Sequence, residues 1–334
     1  MPAVALLFGL LPALAGLLSL LIGRYPLTPA TVLAVLGGHL LPFGHDAPAT
    51  SEIVVVAIRL PRVAAALLVG AALSMAGTAY QGIFRNPLVS PDILGVAAGA
   101  GFGAALAILL ATGPAGIQVS AFGGGLAAVS MTWLITRYCA GGTDTVLVLI
   151  LAGVIVGTVF AALVALVKFV ADPMNVLPAI TFWLMGSLTA VGWPDLLAAS
   201  VPIGVGAGTL VLLRWRLNLL AFGDEDARAL GVDVGRLRLA VVVAATLMTA
   251  ASVALSGVIG LVGLVVPHAT RLLVGPDHRA LLPAAAALGG TFLLIVDDAA
   301  RSLVSAEIPL GILTSLVGAP FFLALLRRSY GGTA

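Results

Sequence analysis

Apolar residues in this chain come in runs of about twenty, separated by short polar links. An α-helix needs a run of that length to cross a hydrocarbon layer roughly 30 Å thick. The pattern predicts ten spans: 3–22, from Arg59 to about 84, from beyond 92 to about 110, 117–137, 146–170, 194–213, 239–255, 258–274, 280–296 and 310–326. The link 23–58 is the longest and reads as a polar connection carrying Arg24, His39, His45, Asp46 and Glu52. Two loop histidines could ligate haem, but loop histidines are more often simply solvated. Between 171 and 192 the apolar run weakens. There Pro173, Pro178 and Gly186 interrupt an amphipathic piece, 180–188, which reads as a short interfacial helix.

One stretch, 217–238, is too polar for lipid. Asp224, Glu225 and Asp226 precede Ala-Arg-Ala-Leu-Gly at 227–231, the pattern of a short helix. Asp224 is placed to cap free N–H groups, Glu225 and Asp226 to complement the positive end of the helix dipole, and Gly231 to stop it in the left-handed region. With the apolar Leu219, Leu220 and Phe222 ahead of it, the segment has the size of a plug for a groove on another protein. A solvated loop between two spans is the alternative.

Composition removes the soluble classes. Hydrophobic residues make up 61% of the 334 and charged residues only 9%, which fits a polytopic membrane protein rather than a soluble domain. Residues 1–22 lack a basic start and a clear cleavage site, so they read as a retained span rather than a signal peptide. The single cysteine, Cys139, excludes an internal disulfide and a cysteine-based metal site. Five basic residues fall on one side of the predicted spans (Arg24, Arg59, Arg62, Lys168, Arg301) and eleven on the other. The positive-inside rule puts the second set, both termini and 217–238 in the cytoplasm. Glycines four apart (Gly95/Gly99/Gly103, Gly153/Gly157, Gly204/Gly208) point to close helix packing. Gly99-Ala-Gly-Phe-Gly103 has no preceding strand and is no nucleotide loop.

Several motifs occur together in order. They are Arg59-Leu-Pro-Arg62, 70–77 (Gly-Ala-Ala-Leu-Ser-Met-Ala-Gly), 81–88 (Gln-Gly-Ile-Phe-Arg-Asn-Pro-Leu) with Leu94-Gly95, and Leu151-Ala-Gly-Val154. Later come 182–187 (Phe-Trp-Leu-Met-Gly-Ser), 260–268 (Gly-Leu-Val-Gly-Leu-Val-Val-Pro-His) with Arg271, Asp277-His-Arg279, 307–311 (Glu-Ile-Pro-Leu-Gly) and 318–321 (Gly-Ala-Pro-Phe). In this series the chain resembles the FecCD family of ABC importer permeases, type II permeases for iron chelates, haem and vitamin B12.

The resemblance implies an all-α, ten-helix permease domain spanning 1–334, paired as a homodimer in the bacterial inner membrane. It also implies two cytoplasmic ATPase subunits, which bind ATP and Mg, and a periplasmic binding protein. The chain itself then carries no cofactor or metal, catalyses nothing and has no nucleic-acid partner. Within 217–238 the coupling residues would be Leu220, Phe222, Gly223, Asp224, Glu225, Asp226, Ala227, Arg228, Leu230 and Gly231. Asn86 and Leu88, with Thr143 and Thr145, would form the cytoplasmic gate. Arg59, Arg62 and Arg301 are expected as exposed cations that dock the binding protein, with membrane anchoring as the alternative. His268, Arg271, Asp277 and His278 are expected as a structural ion-pair cluster, and Asp297, Asp298 and Glu307 as local partners of Arg301.

The expected cargo is an iron chelate, haem or a ferric siderophore, with a corrinoid as the alternative. An ion-coupled secondary transporter would want mid-span carboxylates, whereas the acids here cluster at span ends. An intramembrane hydrolase would want a His-Glu-x-x-His or a serine–histidine arrangement, and neither is present.

Overall fold

The computed structural model describes residues 2–40, 48–139, 145–304 and 306–330, without the side chains of 2–7, 39–40 and 324–330. Thr143 and His45 lie outside the described residues, as does the side chain of His39. Among the described residues there are helices and connections but no strand. Apolar runs in lipid leave the backbone no other way to satisfy its own polar groups short of a closed barrel.

The helices in order are α1 (Pro2–Ser19), α2 (Pro29–Leu40), α3 (Ala49–Glu52), α4 (Leu60–Ile83), α5 (Val96–Leu109), α6 (Gly113–Cys139) and α7 (Thr145–Val170). They continue with α8 (Val176–Leu184), α9 (Trp193–Leu219), α10 (Asp224–Ala229), α11 (Val234–Ser256), α12 (Val262–Val274), α13 (His278–Ser302) and α14 (Leu310–Tyr330). Among the described residues six helical stretches are long and apolar enough to cross a membrane, and shorter apolar helices accompany them.

The link 23–58 departs from expectation. Part of it is α2, and α3 runs through π-helical turns at Ile53–Arg59 into α4, making one 35-residue helix, Ala49–Ile83. Ile53-Val-Val-Val-Ala-Ile58 is itself apolar and contains no breaker. The wider turns end just before Pro61, whose ring could not sit against a normal α-helical carbonyl four residues back. The interfacial helix falls four residues earlier than expected, at α8. Residues after it are stitched between two helix ends: Ser187 N–H donates to Ser256 O, and Leu310 N–H to Gly186 O. Gly186 holds φ 77° there, where a Cβ would stand 2.7 Å from Val258 O.

Helices α4, α11 and α13 form the centre and α6, α7 and α9 the periphery. Glycine sets the closest crossings. A Cβ on Gly77 of α4 would lie 1.8 Å from Gly263 O of α12, and one on Gly70 2.2 Å from Gly289 O of α13. Gly99 and Gly103 of α5 meet Gly124 and Ser120 of α6 in the same way, as the four-residue spacing suggests. Gly204 and Gly208 differ, since nothing lies within 4 Å of a Cβ built on either, so among the described residues this pair packs against no helix.

Candidate functional site

The polar segment folds as a hinge-like excursion between α9 and α11. A tight turn, Leu220–Phe222, leads to Gly223 at φ 114°, then α10, then Gly231 at φ 81°. Gly231 N–H donates to Arg228 O and Val232 N–H to Ala227 O, so the left-handed glycine closes the short helix as its position suggested. Asp224 does not cap it. Its carboxylate instead takes Arg238 Nη2 at 3.1–3.2 Å and lies 3.9 Å from Arg228. Arg238 is only 5% exposed, and a buried guanidinium draws in the nearest carboxylate.

The two faces of the segment divide the expected coupling residues. Leu220 and Ala227 are buried and belong to the main apolar core, so they cannot meet a partner. Phe222 is 69% exposed and Leu230 62%, with Glu225, Asp226 and Arg228 exposed between them. A large apolar side chain at each end of a charged helix is an uncovered patch of the kind that marks a protein contact.

The turn 85–90 lies beside this segment: a Cβ on Gly223 would stand 3.7 Å from Arg85 Nη1. Arg85 adopts φ 48°, and Asn86 Oδ1 accepts the N–H of Leu88 at 2.9 Å, so the asparagine side chain is used to hold its own turn. That leaves Leu88 half exposed. Thr145 is exposed at the start of α7, on the wall of a cavity that Arg228 and Arg238 also line.

The three outer arginines depart most from expectation. Arg59, Arg62 and Arg301 are 4%, 8% and 6% exposed. The end of α1 explains two of them, because the last carbonyls of a helix lack intrahelical donors. Arg59 donates to Leu20 O (2.6 Å) and Tyr25 O (2.5 Å), while Arg301 donates to Ser19 O (3.0 Å) and Ile22 O (2.7 Å). Arg301 also pairs with Asp298 and lies 3.7 Å from Asp297. Arg62 grips the fully buried Asp297 and donates to both oxygens of Glu307 at 2.9–3.1 Å. They are therefore internal clamps rather than exposed cations, and the expectation that they dock a partner directly is corrected. Burial works to raise the Glu307 carboxyl, but the hydrogen bonds from Arg62 and Thr189 prevail and hold it below its ordinary value.

At the opposite end of α13 the expected ion-pair cluster is replaced by amide and backbone bonds. Asp277 accepts from Asn218 Nδ2 at 2.6 Å and from Arg279 N–H at 2.9 Å, which holds its carboxyl below the usual range. Asn218 Oδ1 accepts the backbone N–H of His278 and lies 2.9 Å from its ring Nδ1. Arg271 reaches Gln81 Oε1 at 3.3 Å, and the His268 ring packs edge-on to Phe322. Sequence reasoning missed Asn218. Its only signal is an amide in the last turn of α9, two residues before the turn at Leu220 opens.

A bundle of lipid-length apolar helices around one charged excursion defines a multi-pass membrane protein. The chain belongs to the FecCD family of ABC importer permeases, since the model of the FecCD transport family matches residues 10–328. It is 41% identical over 325 residues to the molybdate import system permease protein of Haemophilus influenzae, covering 97% of this chain and 95% of that one. It is 42% identical over 279 residues to the hemin transport system permease protein of Yersinia pestis, covering 81% and 82%. A solved structure described as an inward-facing conformation of a metal-chelate type ABC transporter superposes with a TM-score of 0.88 at 39% identity, over 98% of this chain and 100% of that one.

Proposed function

We propose that two copies of this chain form the membrane pathway of an ATP-driven importer in the bacterial inner membrane. In this reading each copy crosses ten times, with both termini in the cytoplasm as the basic-residue asymmetry implies. Two ATPase subunits bind ATP and Mg and seat α10 between the apolar contacts of Phe222 and Leu230, and a periplasmic binding protein delivers cargo. The observation that carries the reading is that exposed pair, flanking the charged helix α10 in a chain of the FecCD family.

The chain's own residues provide a route for the signal. Asn218, directly before the coupling segment, holds the first residues of α13. The other end of α13 carries Asp297, Asp298 and Arg301, which clamp α1, Arg62 and, through Arg62, Glu307. Twenty-five residues at ~1.5 Å each span roughly 37 Å, a rigid rod from one membrane face to the other. In this reading Leu88 closes the cytoplasmic end of the pathway, with Asn86 holding its turn and Thr143 and Thr145 completing the gate.

For cargo, the reading is an iron chelate, haem or a ferric siderophore, supported by relatives named for hemin and iron chelatin transport. Molybdate is a second reading, favoured by end-to-end similarity to a molybdate permease. The test is to co-purify the partner binding protein with its ligand and analyse it for metals and by mass. Iron with a haem or siderophore mass supports the first reading, molybdenum the second, and cobalt a corrinoid. A ligand-free, metal-free binding protein that ignores all three would refute both readings.

A further inference from the structure

The connection from α10 to α11 walls a cavity of about 490 Å3 whose other side is the last turn of α6 and the first residue of α7. That volume is within the range of small-ligand sites. Among the described residues four arginines line it, Arg137, Arg228, Arg236 and Arg238, against one carboxylate, Asp233. Two of the cations are only loosely engaged. Arg236, its side chain 90% exposed, pairs with Asp233 three residues back, and Arg228 lies 3.9 Å from Asp224. Exposed pairs of this kind contribute little. Arg238 is buried, spends one nitrogen on Asp224, and has no acceptor for its buried Nε among the described residues. A buried donor without an acceptor is costly, and an oxyanion in the cavity would meet that need.

The position narrows the choice of oxyanion. Arg137 closes α6, Thr145 opens α7, and Arg236 and Arg238 lie in the first turns of α11; all three helices are of membrane-crossing length and hydropathy. The cavity therefore lies where hydrocarbon gives way to water. Trp133 and the exposed Leu239 line it, and Leu134 and Tyr138, beside its α6 wall in sequence, are exposed. Aromatic residues at this depth mark the headgroup region. A cluster of guanidiniums above an apolar wall has the chemistry of a phospholipid, with phosphate above and acyl chain below.

We propose that this cavity binds the phosphate of an anionic lipid, phosphatidylglycerol or cardiolipin, and so ties the coupling helix, through Arg228, to the ends of α6, α7 and α11. The site belongs to the permease alone and does not depend on the cargo. The test is native mass spectrometry of the full chain released from nanodiscs of mixed phosphatidylcholine and phosphatidylglycerol. Each cation near an anionic headgroup contributes roughly fivefold, so Arg137→Gln with Arg236→Gln should lower phosphatidylglycerol retention by about 25-fold. Arg214→Gln, which removes a cation outside the cavity lining, should leave it unchanged. Both Arg137 and Arg236 are exposed, so the double variant should melt like the parent, which a thermal scan checks. Equal retention by parent and double variant would overturn the proposal. So would inorganic phosphate saturating the site in pure phosphatidylcholine with no preference for phosphatidylglycerol. Loss of an ATPase subunit from the double variant in pure phosphatidylcholine would make the cavity a protein socket and overturn it equally.

Discussion

Replacing Phe222 and Leu230 together by alanine removes the apolar contacts of the coupling segment without touching the core. Full burial of such side chains is worth about 1.5–3 kcal/mol each. At 69% and 62% exposure, about two-thirds of that remains to be gained on docking, roughly 1–2 kcal/mol each. The pair should therefore contribute about 2–4 kcal/mol to ATPase-subunit binding, a rise in Kd of about 30-fold to nearly a thousandfold on their removal. The assay is titration of the ATPase subunit onto permease held in nanodiscs, with a thermal melt of the permease alone as control. The melt should not change. Ala227→Trp should behave in the opposite way, because Ala227 is fully buried in the chain's own core and a bulky ring there would lower the melting temperature before any partner is added. A Kd within twofold of the parent for the double alanine variant would show that the coupling surface lies elsewhere.

Asp297→Ala should lower stability by about 3–5 kcal/mol, because it leaves the buried Arg62 and Arg301 short of a counter-charge; a denaturation series in detergent reads this directly. Gly77→Ala should cost at least about 1–3 kcal/mol through its collision with Gly263 O, while Gly208→Ala, in open space on α9, should be neutral or slightly stabilising; paired thermal melts compare them. Glu307 keeps its charge below the ordinary carboxylate range, so its contribution is complete above its ordinary value of 4.5 and disappears as pH falls through the lowered one. Glu307→Gln should therefore melt below the parent at neutral pH, and the two curves should converge as acidification passes below the lowered carboxyl value.

Six of the predicted spans were legible because lipid leaves the backbone no alternative to a helix, and twenty apolar residues announce one. The extension of α4 back to Ala49 was hidden by its polar neighbourhood, although Ile53-Val-Val-Val-Ala-Ile58 is apolar when read alone. The C-terminal end of α13 was legible in part: Asp297 and Asp298 meet Arg301 as their spacing suggests, whereas Glu307 pairs with Arg62 instead. That the arginines turn inward was not, because the carbonyls they cap belong to α1, distant in sequence, and only the fold brings them together. Within α10, six residues are too few for a periodicity. Nothing local distinguishes Ala227, which faces the core, from Ala229, which does not.

The central claim is that this chain moves cargo only when ATPase partners drive it. The direct measurement is cargo uptake into proteoliposomes holding the permease, its ATPase subunit and the binding protein, with and without ATP and with the ion gradients collapsed. Uptake that requires ATP, persists without gradients and falls sharply with Phe222→Ala and Leu230→Ala is the expected result. Gradient-driven uptake by the permease alone, indifferent to ATP, would contradict the account.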